Sequence, residues 1–201
     1  SINPVISDAR MQVRLPFPLH ADGDKLSLKV SYSFAIPVYG ADRMGRLSTK
    51  NGIVYEIAQW YPRMCVYDDI EGWNTLPYMG LGEFYCEYGD YDYYITAPGD
   101  MIVAGSGDLQ NPAQVLTRTE ISRLEQARKS DQTVMIVGPD EIGKPDTRPV
   151  SSGSLTWHFK MLNTRDVSWA ASKAFIWDAA RVNLPSGRKA IAMSVYPVES
   201  A

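Results

Sequence analysis

The chain has 201 residues, a length that suits one domain or a close pair of small ones. Hydrophobic residues make up 45% and charged residues 21%, which argues against wholesale disorder. The net charge of −3 weighs against a nucleic-acid binder, because displacing counterions from phosphates takes a basic surface.

No apolar run approaches the roughly 20 residues that a membrane-spanning helix needs. The first residues, Ser1-Ile2-Asn3-Pro4, have neither the basic nor the apolar region of a signal peptide. The chain does not begin with Met, so the expectation is a processed product or a piece of something longer. Two cysteines, Cys65 and Cys86, are too few for a disulfide scaffold and are expected as two buried thiols rather than one bridge.

Taken in chain order, the dominant hydrophobic period is two. Leu26, Leu28, Val30, Tyr32 and Phe34 alternate with serines and Lys29, which predicts a half-buried strand. Asp22-Gly23-Asp24 before it reads as the turn of a hairpin with the Met11–Leu15 stretch. Further strands are expected over Ile53–Trp60, Glu83–Tyr88, Asp92–Ala97 and Met101–Ala104. Thr117 stands three residues before Glu120, the spacing of a capping box, and predicts one helix ending near Ser130. Strand returns at Gln132–Val137, residues 138–153 form the longest loop, and strands follow at Leu155–Leu162, Val167–Trp177 and Ile191–Val195. The sum is a mostly β chain of bent or stacked antiparallel sheets, saddle-like or a sandwich, with one short helix near 118–130. It is read as a single domain over 1–201.

Little of this pattern carries catalytic chemistry. His20 and His158 lie far apart, and neither belongs to an H-E-x-x-H helix or a close ligand pair. His158 falls on the outward phase of its strand, the place of a solvent-facing or interface histidine. Ser106, between Gly105 and Gly107, has no nucleophile-elbow context. The acids Asp68, Asp69, Glu71, Glu83, Glu87, Asp90 and Asp92 read chiefly as solvated turn residues, with a calcium site or a hydrolytic dyad as the sharper alternatives. The tyrosine-rich run from Tyr85 to Tyr94 suits either a sugar platform or protein interface, or packing between sheets; consecutive tyrosines on one strand point to both faces.

Several segments, as an ordered set, resemble one family. They are Gln59-Trp60-Tyr61-Pro62-Arg63, Val66-Tyr67-Asp68-Asp69, Gly72-Trp73-Asn74 with Pro77-Tyr78, and Gly82-Glu83-Phe84-Tyr85. Tyr88-Gly89-Asp90-Tyr91-Asp92, Ile95-Thr96-Ala97-Pro98 and Val103-Ala104-Gly105-Ser106-Gly107-Asp108-Leu109 follow, then Trp157-His158-Phe159, Asn163-Thr164-Arg165-Asp166, Trp169-Ala170-Ala171-Ser172 and Phe175-Ile176-Trp177-Asp178. This set is similar to the N-terminal β-domain of bacterial zinc aminopeptidases of the aminopeptidase N family, gluzincin metallopeptidases, over about residues 11–180.

The resemblance implies a saddle-like domain that packs on a thermolysin-like catalytic domain of the same parent chain. Zinc, an H-E-x-x-H helix and a G-x-M-E-N motif belong to that catalytic domain, and neither motif is in this sequence. It follows that this chain is expected to hold no catalytic residue and no metal of its own, and the peptide substrate belongs to the parent. The resemblance also implies a substrate-binding glutamine near the first side-chain pocket, matched here by Gln59 with Tyr61 as its rival; the plainer reading of Gln59 is a satisfied strand-end amide. A periplasmic or cell-envelope location goes with the bacterial resemblance. The alternative is a stand-alone carbohydrate-binding or adhesion β-sandwich using the tyrosine-rich face.

Overall fold

The computed structural model describes residues 3–7, 9–21, 23–38, 41–77, 80, 85–149 and 153–201. Strand accounts for 39% of the chain and helix for 12%, so the protein is mostly β, as the period-two pattern demands. It forms two compact units, Ser1–Ala35 with Tyr61–Glu87, and Ile36–Trp60 with Tyr88–Ala201.

The first unit holds two small hairpins. Strand β1 (Val5–Ser7) pairs with β2 (Arg10–Gln12), and β5 (Tyr67–Asp68) pairs with β6 (Gly72–Trp73). Asp68 builds the second turn: its Oδ1 accepts the N–H groups of Ile70 at 3.1 Å and Glu71 at 2.7 Å. Gly72 closes that turn with φ of +71°, a left-handed value that glycine adopts without a Cβ clash. Tyr67 and Trp73 then face each other across the hairpin, ring centroids 5.2 Å apart.

Three sheets make up the second unit. The first has the order β3 (Met44–Thr49), β4 (Gly52–Ile57), β12 (Trp169–Ser172), β8 (Ile102–Gly105). The second runs β7 (Gly89–Pro98), β11 (Ser154–Thr164), β9 (Asp108–Leu109), and the third β10 (Val134–Val137), β13 (Ile176–Asn183), β14 (Lys189–Tyr196). All pairs are antiparallel. The first two sheets pack face to face through aromatic rings. Phe159 of β11 lies 5.4 Å from Tyr93 of β7, and both rings crowd Gly105 at the end of β8. Tyr93 donates its hydroxyl proton to the Ser106 carbonyl at 2.7 Å, and burial holds its phenol well above the usual tyrosine range.

Two short helices complete this unit, α1 (Pro112–Val115) and α2 (Arg118–Ala127). The predicted capping box is present: the Glu120 N–H donates to Thr117 Oγ1 at 3.2 Å, and the Thr117 N–H donates to Glu120 Oε2 at 2.7 Å. Such a cap is worth about 1 kcal/mol. Helix α2 packs on β10 and β13, burying Ala127 beside a core that includes Ile136, Phe175 and Ile176. The loop after β10 is tied to the helix by Arg123, which grips Glu141 with two hydrogen bonds of 2.7 and 3.0 Å and also donates to the Ile136 carbonyl.

Five local expectations are corrected. Residues 26–34 form no strand, and neither do residues 85–88; Glu83, Phe84 and the Asp22 of the expected turn lie outside the described residues. Met11 belongs to β2 and pairs with β1 rather than with the Leu26–Phe34 stretch. Residues 167–177 are not one strand: the Ala174 N–H donates to Ser172 Oγ, which itself donates to the Ile53 carbonyl, and this knot separates β12 from β13. The cysteines are both free thiols, but Cys65 is exposed and Cys86 half-buried, so neither is a core residue.

Candidate functional site

The register of β7 against β11 sorts their side chains into two sets. Tyr93, Ile95, Trp157 and Phe159 are buried, whereas Asp92, Tyr94, Thr96, Lys160 and the half-buried His158 lie on the opposite face. Adjacent tyrosines thus part company, Tyr93 inward and Tyr94 outward, as alternation requires.

On the outer face Asp92 joins two bases. Its Oδ1 lies 2.7 Å from His158 Nε2, and its Oδ2 lies 3.1 Å from Lys160 Nζ. The hydrogen bond from Lys160, and then that from His158, hold the Asp92 carboxyl below its ordinary range. Tyr94 stacks on the His158 ring, centroids 4.2 Å apart and planes within 13°. Beyond them Thr96 and Thr156 hydrogen-bond at 2.9 Å across the same face.

The backbone at His158 is fixed where β9 ends. Asn111 Oδ1 accepts the His158 N–H at 2.9 Å, Asn111 Nδ2 donates to the Thr156 carbonyl at 2.8 Å, and the Gln110 N–H donates to the His158 carbonyl at 2.8 Å. One asparagine side chain stands in for the missing neighbour strand. The resulting surface offers a carboxylate, an imidazole, an ammonium and an exposed phenol ring. That set suits hydrogen bonding and stacking with a polar ligand. The hydrogen bond of the His158 ring is to Asp92, and no hydroxyl or thiol among the described residues is hydrogen-bonded to that ring.

Sequence reading placed His158 outward and Asp92 among the acids, but it missed their pairing. The two are diagonal neighbours across strands whose register is set by residues far apart in the chain, and outward alternation on both strands was the available signal.

Gln59 follows the end of β4 with φ of +53°, in the left-handed region that side chains other than glycine and asparagine seldom occupy. It is half-buried, and its side-chain amide is hydrogen-bonded to no described residue. The chain on either side is held: the Ala58 N–H donates to the Arg43 carbonyl, and the Trp60 ring packs 6.3 Å from Tyr93 and 6.5 Å, edge-on, from Trp169. Tyr61 belongs to the first unit, where the Arg63 guanidinium lies 6.0 Å from its ring centroid.

Ser106 has a structural task. Its N–H donates to the Ser168 carbonyl at 3.0 Å, and its Oγ accepts the Ser168 N–H at 3.1 Å, pinning the β8–β9 turn to the start of β12. Among the described residues no group of three or more histidine, cysteine or acidic side chains is gathered as a metal would require, and no helix is long and apolar enough to cross a membrane. No family model, curated protein or solved structure matches the chain.

Proposed function

We propose that this chain is the non-catalytic N-terminal β-domain of a zinc-dependent aminopeptidase, which packs on the catalytic domain of its parent and shapes substrate access. The chain itself is then not an enzyme, and zinc belongs to the parent. The sequence resemblance motivates the reading. The observation that carries it is Gln59: a glutamine held in a costly backbone conformation, flanked by firmly packed residues, its amide hydrogen-bonded to no described residue. Strain of this kind, about 1–2 kcal/mol, persists where a side chain must be presented in a fixed direction. A primary amide in that position can both donate to and accept from a peptide backbone or terminal amine.

The decisive experiment reads the open frame that contains the codon for Ala201. An H-E-x-x-H within about one or two domain lengths, roughly 100–250 residues, is expected. A frame that closes without one overturns the proposal, as does release of amino acids from aminoacyl anilides by this chain alone with stoichiometric zinc.

The outer face of β7 and β11 favours a second reading, a carbohydrate-binding or adhesion module. An exposed Tyr94 beside Asp92, Lys160 and His158 combines a ring face with hydrogen-bonding groups, as sugars require. Glycan binding that is lost in Tyr94→Ala supports it, and an array without a single hit removes it.

A further inference from the structure

We propose that the tip of the β13–β14 hairpin and the C-terminal end of α2 together form a docking surface for a membrane that carries anionic lipid. This inference goes beyond the aminopeptidase reading and does not depend on it.

The fold gathers a basic corner from segments that are distant in the chain. Residues 125–131 and 181–189 hold five bases and two acids, on a chain whose net charge is −3. Asp131 joins the two segments: its Oδ1 accepts from Arg181 Nε and Asn183 Nδ2, each at 2.9 Å, and its Oδ2 accepts from Arg181 Nη2 at 2.8 Å. The Arg181 N–H also donates to the Ser130 carbonyl at 2.9 Å. Lys189 stands opposite Asn183 in the hairpin register, close enough to add its charge to those that act on Asp131.

Asp131 is thereby committed to Arg181. The other four bases, Arg128, Lys129, Arg188 and Lys189, are exposed, and none is in an ion pair among the described residues. Glu125, exposed one turn before Lys129, is in none either. The hairpin tip adds an apolar point: Leu184 is 37% exposed, and Pro185 is exposed beside it. Two bonds of 2.9 Å fix this loop, from the Leu184 N–H to the Arg188 carbonyl and from the Gly187 N–H to the Leu184 carbonyl. A leucine and a proline are thus held out next to free cations on an ordered turn.

Charge complementarity selects the occupant. A layer of anionic headgroups meets all four cations at once, and the acyl boundary beneath it receives Leu184 and Pro185. A soluble polyanion would engage the cations but gain nothing from the leucine.

The test is sedimentation of the full chain with vesicles of phosphatidylcholine, alone or with about 30% phosphatidylglycerol, at about 0.01 M and 0.15 M salt. Binding is expected to be at least about tenfold tighter to the anionic vesicles, and weaker at the higher salt. The double variant Arg188→Gln, Lys189→Gln removes two exposed charges that have no ion-pair partner in the fold and is expected to weaken that binding about thirtyfold. Leu184→Ser is expected to weaken it at least about threefold. Equal binding to the two vesicle types, binding to neither, or anionic binding that either variant leaves unchanged overturns the proposal. So does retention on immobilised heparin without any binding to vesicles, the mark of a soluble polyanion as the partner.

Discussion

A Cβ atom placed on Gly107 would stand 2.2 Å from the carbonyl oxygen of Lys160 and 2.8 Å from Met161 Cβ. Gly107 also has φ of +90°. Two independent demands for glycine meet at the turn that feeds β9 onto β11. Gly107→Ala is expected to cost about 3 kcal/mol, roughly 1–2 from the backbone conformation and 1–3 from overpacking. Gly187, with φ of +80° and open space around it, supplies the control. Gly187→Ala is expected to cost only about 1 kcal/mol. Urea unfolding of the two variants checks the difference, and equal losses would refute the steric argument.

The buried pair of Glu120 and Arg148 joins α2 to the far end of the 138–149 loop; the side chains are 2% and 9% exposed. Burial pushes the Glu120 carboxyl up and the Arg148 guanidinium down, against their mutual attraction. Arg148→Met leaves a buried carboxyl without its partner and is expected to cost about 3–5 kcal/mol. Adding Glu120→Gln to that variant is expected to recover part of the loss, since the charge goes while a capping side chain stays. A double-mutant cycle measures this, and simple additivity would show that the two groups are not coupled.

Acid sensitivity has a sign fixed by Glu141. Two hydrogen bonds from Arg123 and one from the Gly138 N–H hold its carboxyl below the usual glutamate range. A depressed folded value means the stabilisation is present above the unfolded glutamate value, about 4.3, and is lost as pH falls through the folded one. Asp131, held low by Arg181 and Asn183, works in the same direction. Glu120, raised by burial, works in the opposite one: its contribution falls as pH rises from the ordinary glutamate value towards the folded one. Thermal melts from pH 7 to pH 3 are expected to show a shallower acid decline in Glu141→Gln, which should also be less stable than the parent at pH 7. An unchanged slope would contradict the assignment.

Releasing the backbone at Gln59 should stabilise the protein. Gln59→Gly accepts the positive φ at no steric cost, and a gain of about 0.5–1 kcal/mol is expected once the greater freedom of glycine in the unfolded chain is subtracted. If denaturant midpoints fall instead, the strain account of Gln59 is wrong.

Thiol labelling separates the cysteines. Exposed Cys65 is expected to react with iodoacetamide faster than half-buried Cys86, each adding one label by intact mass. A chain that labels only after reduction would mean that the two are bridged.

The sequence disclosed those features whose cause is local. Thr117 and Glu120 announced α2 because a capping box needs only a three-residue spacing. The split of Tyr93 from Tyr94 followed from strand alternation. Pairing across distance was not legible. Arg148 and Glu120 are 28 residues apart, and Asp92 and His158 are 66 apart, with nothing in either neighbourhood naming the other. The Leu26–Phe34 alternation predicted a strand where none forms, because a period of two records spacing along the chain and is silent about register with another segment. The left-handed turn at Gln59 carried no signal at all, since glutamine has no preference for it.

The tryptophans make the two units spectroscopically distinct. The indole nitrogens of Trp157, Trp169 and Trp177 are buried and meet no hydrogen-bond acceptor among the described residues, whereas Trp73 is exposed at the β5–β6 hairpin. The buried indoles will emit at short wavelength and resist acrylamide, while Trp73 will emit to the red and be quenched readily. Melting of the larger unit can therefore be followed in the blue edge of the fluorescence and the hairpin in the red, without a single added dye.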